Sequence, residues 1–254
     1  MMSLLNLITK TIKYANRFGG KLDINQLYFR LLTSKKYSLK EVKKIVKENQ
    51  IILNRLVNKE SNNKILLAKK LLINHLSKFN DILFLGITGS TAAENAKAKE
   101  DIDFFIICKA DSLWWNRLKL RLYIKGNNIP HRRYGQKEIA NDFCFNLWMD
   151  ETNIVVPKLK QNQKNAVDLI MMKVLLNKNN IYEKLILKNR WAEKYVANGY
   201  NQLKVKNFKL RDYKQKSSII NIVLNYMAYF GQILYIRLKG PIKFINLRQA
   251  FFHK

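Results

Sequence analysis

The sequence predicts an α/β (α+β) fold, a small mixed sheet covered by helices and flanked by further helical segments. Three observations carry this. Short continuous apolar runs at 82–87, 101–108 and 143–149 read as buried strands. Between and around them, apolar residues recur at helical spacing. With 48% hydrophobic and 26% charged residues over 254 positions, the composition is that of a globular protein, long enough for one substantial core with attached modules.

Residues 1–62 are expected to form an N-terminal helical, winged-helix-like module. The stretch 4–18 has apolar positions at helical spacing, Asp23 can cap a helix running to 32, and Ser38 followed by Glu41 is a capping-box pattern opening a third helix. Three short helices fit a helix-turn-helix or winged-helix module that could touch DNA, and equally a small packing bundle. Residues 63–160 are expected to hold the core. A helix over 63–79 offers Ile65, Leu66, Leu71, Leu72 and Leu76 as its apolar face, with lysines opposite. The first strand follows and ends at Gly89. After the second strand, 112–124 reads as a basic helix crossing over the sheet. Adjacent helical residues diverge, so of Trp114 and Trp115 one is expected in the core, while stacking on a base is the alternative use. In the third strand Asp142, Cys144, Asn146, Trp148 and Asp150 alternate onto one face. Residues 161–254 are expected to form a C-terminal helical region, with helices over 166–176, 181–197 and 217–238.

The 47 Lys and Arg against 18 Asp and Glu leave a formal net charge of +29. Nucleic acid, a polyphosphate substrate or an anionic membrane surface would each be drawn to such a field. Lys and Asn are also abundant together along the whole chain, as AT-biased coding would produce, so both readings of the excess stay open. Cys108 and Cys144 lie in apolar strands and are expected as buried, reduced thiols. His75, His131 and His253 lack ligand spacing, which disfavours a zinc site and leaves oxygen ligands for any metal. The N-terminus has no secretory pattern, so a cytoplasmic location is expected. The stretch 219–238 is apolar, but it carries Asn221, Asn225, Gln232 and Arg237. A buried or groove-packing helix is therefore expected, and no integral membrane span.

The chemistry concentrates in 85–107. A strand ends in Gly89-Ser90, ten residues intervene, and Asp101-Ile-Asp103 opens the next strand. Glycine lets backbone approach phosphate oxygens closely, and the residues after it can open a helix whose free N–H groups attract an anion. Ser90 adds a hydroxyl donor. Two aspartates two apart in a strand project to one side, where a magnesium ion could be shared between them. Such a pair needs a cation or an exposed position to be tolerated.

These residues resemble the signature of the DNA polymerase beta nucleotidyltransferase superfamily, in which Gly-Ser is followed by a spacer and Asp-hydrophobic-Asp. More of the chain is similar to a prokaryotic group of nucleotidyltransferase-domain proteins, through Asp111-Ser-Leu-Trp-Trp, Cys144-Phe-Asn-Leu-Trp-Met-Asp-Glu and Asn189-Arg-Trp-Ala. The resemblance implies a nucleotidyltransferase core in which Gly89 and Ser90 hold the phosphates of a nucleoside triphosphate such as ATP. Asp101 and Asp103 would hold one or two Mg2+ (or Mn2+) ions. The family has a third carboxylate on a neighbouring strand, and the matching position here is Asn146. Asp142 and Asp150 lie about 13 Å along the strand on either side of it. Lys97, Lys99, Arg117 and Arg121 are candidate helpers. The implied activity is transfer of a nucleoside monophosphate to an acceptor hydroxyl on RNA, protein or a small molecule. The alternative is a catalytically weakened fold that binds RNA or DNA or acts as a regulatory module.

Overall fold

A computed structural model describes residues 2–53, 58–133, 135–203, 218–239 and 244–252. The N-terminal helices begin where capping chemistry directs. In α1 (Leu4–Arg17), Ser3 accepts from the Asn6 amide, while α2 (Ile24–Phe29) and α3 (Leu39–Glu48) both open with complete capping boxes, Asp23 with Gln26 and Ser38 with Glu41. Their apolar faces meet in a small core built on Ile8, Leu27, Leu31 and Val42. No wing hairpin accompanies them among the described residues, whose strands all belong to one sheet.

Helix α4 (Lys59–Asn74) forms one turn earlier than its apolar pattern suggests, capped by Asn58. Its faces also differ from expectation. Leu66 is exposed and Lys64 is fully buried, because carbonyl groups of the following loop wait for its ammonium. Strands β1 (Ile82–Ile87), β2 (Ile102–Cys108) and β3 (Phe143–Asp150) arise from the three apolar runs. Between β1 and β2 lies the single turn α5 (Gly89–Ala92), and between β2 and β3 the crossover helix α6 (Leu113–Gly126). The pair β1–β2 is antiparallel and β2–β3 parallel.

The C-terminal third departs from its all-helical expectation. Helix α7 (Gln163–Met171) stops at Met172, whose extended backbone starts strand β4 (Lys173–Asn177), antiparallel to β1. Helices α8 (Ile181–Lys188), α9 (Glu193–Leu203) and α10 (Ile219–Lys239) follow, then the hairpin β5 (Phe244–Asn246) and β6 (Gln249–Phe251). The six strands order as β4-β1-β2-β3-β6-β5. One sheet face is covered by α4, α6 and α10 through residues such as Leu71, Trp114, Leu120 and Ile236. The other is covered by α7, α8 and α9 through Ile170, Leu185 and Tyr200. Trp114 is core, while Trp115 is half-buried against it. Cys108 and Cys144 are buried free thiols, and His253 lies outside the described residues.

Two further expectations are corrected. Trp148 does not share a face with Cys144 and Asn146. The β2–β3 register skips a residue between Phe145 and Leu147, so Asn146 is bulged and Trp148 turns to the α6 side. Of the two expectations for α10, it packs along α6 but is not a buried helix. It is long and apolar enough to cross a membrane by length and composition, and only 22% of that stretch is buried.

Candidate functional site

Parallel pairing of β2 with β3 brings Asp103 opposite Cys144. Ligand atoms of Asp101, Asp103 and Cys144 lie within 4.8 Å of one another, a group that could hold a metal ion. The turn after β1 is pinned to the same place by the Thr88 amide, which donates to the Asp103 carbonyl at 2.9 Å. Gly89 then adopts φ +65°, and a Cβ there would sit 2.8 Å from Asp103 Oδ2. Both facts demand glycine, since any side chain would meet the carboxylate and strain the backbone.

The carboxylates are unequally supported. Asp101 is buried, and its Oδ2 accepts from Arg132 Nη1 at 2.9 Å. Burial pushes its carboxyl above the ordinary carboxylate range and repulsion from Asp103 adds to this, while Arg132 opposes both. Asp103 Oδ1 accepts from Asn146 Nδ2 at 2.6 Å, and the same amide reaches Cys144 Sγ at 3.3 Å. The pKa of the Cys144 thiol is driven far upward, first by burial and then by the two aspartates. The hard oxygen donors of this group are therefore the two carboxylates. Crowded in a mostly buried corner, with a guanidinium on Asp101, they could hold a metal ion.

Asn146 thus stands beside Asp103, where the strand register predicts it, with its amide nitrogen turned to the carboxylate. Asp150 lies at the far end of β3, accepting from the Asp111 amide and Thr152. Ser90 Oγ donates to Glu100 Oε2 at 2.6 Å, which ties α5 to the connector before Asp101. The connector is held from below as well: Lys64 Nζ donates to the Glu100 carbonyl at 2.6 Å and to Asn141 Oδ1 at 2.8 Å. Lys97 and Lys99 are exposed on it. Arg117 is on the opposite face of the sheet, buried against Gln232 and the Phe252 ring, and Arg121 lies over Tyr235.

Two cavities flank Gly89. One, of about 150 Å3, runs from Thr88 and Asp103 to Lys160, Lys164 and Asp168. The other, of about 130 Å3, lies between Ser90 and the Tyr14, Phe18 and Arg30 side chains of the N-terminal helices. Sequence patterns pointed to none of Arg132, Lys160, Lys164 or Tyr14, because single cations and a helical tyrosine carry no motif. No family model, curated protein or solved structure matches the chain. The reading of the site therefore rests on its geometry and on the local resemblance at residues 89–103.

Proposed function

We propose that the protein is a nucleotidyltransferase, moving a nucleoside monophosphate from a nucleoside triphosphate to an acceptor hydroxyl. The observation that carries this is the convergence of Asp101 and Asp103, with Asp103 against the bare Cα of Gly89, beside a cavity rimmed by Lys160 and Lys164. A magnesium or manganese ion at the two carboxylates would neutralise triphosphate charge and polarise the α-phosphate. Gly89 leaves the backbone open to a phosphate, and Lys164 offers a cation on the opposite wall. Tyr14 and Phe18 supply an aromatic wall for the nucleoside. The chain's part is positioning and electrostatics, with no covalent intermediate. The net charge of +29 favours RNA or DNA as acceptor through phosphate contacts.

A second reading is favoured by Asn146 and Arg132. An amide replaces the third carboxylate, and a guanidinium already neutralises Asp101, so a second cation would bind weakly and the fold would serve as a nucleic-acid-binding or regulatory module. Calorimetry with each triphosphate, with and without Mg2+ or Mn2+, tests the common ground. Asp101→Asn with Asp103→Asn should abolish the metal dependence of binding. Unchanged metal-dependent binding would leave the pair as an acidic strand edge. Transfer of label from a triphosphate to RNA or protein separates the first reading from the second.

A further inference from the structure

Helix α10 is turned inside out. Its large apolar residues Ile220, Val223, Met227, Phe230, Leu234 and Leu238 are all more than half exposed. Their steps of three and four residues put them in one stripe along the whole helix. Two polar residues, Asn225 and Gln232, face inward. Asn225 Oδ1 accepts from the Trp114 and Trp115 amides at 2.7 and 3.2 Å, satisfying the free N–H groups that open α6. Gln232 Nε2 donates to the Trp114 carbonyl at 2.9 Å, and its Oε1 accepts from Arg117. Two of the polar residues that argue against an apolar surrounding, Asn225 and Gln232, are thus already paired inside the protein, and the outward face is mainly apolar, with Arg237 exposed near its end.

The border of the stripe is cationic. Neither α6 nor α10 contains an aspartate or glutamate. The groove between them, about 630 Å3, brings Arg121, Lys125 and Arg133 beside Met227 and Tyr235, with no carboxylate in its lining. A second copy of this chain would meet the stripe with the same cations, which repel. Single-stranded nucleic acid binds by stacking its bases on flat rings, and of the six stripe residues only Phe230 carries one, so such a partner would leave the other five in water. An anionic bilayer satisfies both parts, since its headgroups pair with the cations while the acyl boundary takes the stripe.

We propose that α10 seats the protein on an anionic lipid surface, lying in the headgroup plane with its outer stripe in the acyl boundary. The site at Gly89 takes no part in this, so the inference stands whatever the protein does with nucleotides. The test is sedimentation of the full chain with phosphatidylcholine vesicles, with and without phosphatidylserine. Binding should be roughly a hundredfold stronger with phosphatidylserine, since each of three cations near an anionic surface contributes about fivefold. The variant Met227→Ser, Phe230→Ser, Leu234→Ser should lose vesicle binding while keeping its thermal midpoint. Lys125→Glu with Arg133→Glu should lose the preference for phosphatidylserine. Three results would each overturn the inference: no binding to either vesicle, vesicle binding unchanged in the stripe variant, or a concentration-dependent dimer in solution that the stripe variant abolishes. Loss of binding to a single-stranded oligonucleotide in the stripe variant, with vesicle binding intact, would overturn it as well.

Discussion

The two helical layers on the sheet treat polarity in opposite ways. On the α7–α9 side, aliphatic residues point into the sheet, and Lys160 and Lys164 stand at the rim of an open cavity facing the carboxylate pair. On the α4–α6–α10 side, Lys64, Arg117, Asn225 and Gln232 are buried, and aliphatic side chains lie outside. Each of these four has a waiting partner: backbone carbonyls for Lys64, helix-opening amides for Asn225, a side-chain amide for Arg117 and the Trp114 carbonyl for Gln232. A cation or amide enters a core when its hydrogen bonds there replace those to water, and the surface it vacates becomes apolar. One layer thus leaves charged groups at the rim of an open cavity, and the other presents an outer face rich in apolar side chains.

The largest expected effect tests the buried side of that contrast. Lys64→Met would leave the Glu100 carbonyl with the Asn141 amide alone and take the ammonium from Asn141 Oδ1, costing roughly 3 kcal/mol of stability in urea unfolding. It should also loosen the connector that sets Asp101, weakening metal-dependent triphosphate binding. Burial lowers the Lys64 pKa from its ordinary 10.5. Between that lowered value and 10.5 the unfolded chain holds the proton more tightly, so wild-type stability should rise with pH in this alkaline window. The Met variant should lack the rise. An unchanged slope would mean that the ammonium is not buried.

Next in size is a change at the carboxylate corner. Asn146→Asp removes the donor to Asp103 Oδ1 and adds a third negative charge to a buried group. Without a divalent ion the variant should lose about 2 kcal/mol by repulsion and desolvation. Mn2+ or Mg2+ should restore its thermal midpoint and raise any transferase activity, since the ion gains a charged ligand. A midpoint indifferent to metal would place the third-ligand role elsewhere.

What the sequence made legible follows the same divide. Caps and apolar runs act locally, so the Asp23 cap, the Ser38–Glu41 capping box, the three central strands and the convergence of Asp101 with Asp103 are legible directly. Strand β4 was read as helix because Val174, Leu175 and Leu176 continue the apolar spacing of α7, and neither glycine nor proline marks the break at Met172. The three-residue strands β5 and β6 are too short to show a period. The bulge at Asn146 has no sequence mark, which is why Trp148 was placed on the wrong face. Arg132 pairs with Asp101 from a loop, and Lys64 enters the core through a loop's carbonyls. Both depend on contacts across more than 30 residues, which periodicity cannot reveal.

The smallest expected effect draws the sharpest line, because it compares neighbours on one helix. Ile233 is 9% exposed and packs between α10 and the sheet, whereas Leu234 is 63% exposed on the stripe. Truncating Ile233 to alanine removes buried methyl groups and leaves a cavity, so it should cost about 2 kcal/mol or more. Leu234→Gln exchanges an aliphatic side chain in water for a polar one of similar length, and α10 already tolerates glutamine within it. Its stability should stay within about 0.5 kcal/mol of wild type, with solubility raised. Paired urea titrations read both values on the same scale. Equal losses for the two variants would mean that the outer stripe is covered by protein in solution, and the contrast between the layers would then vanish.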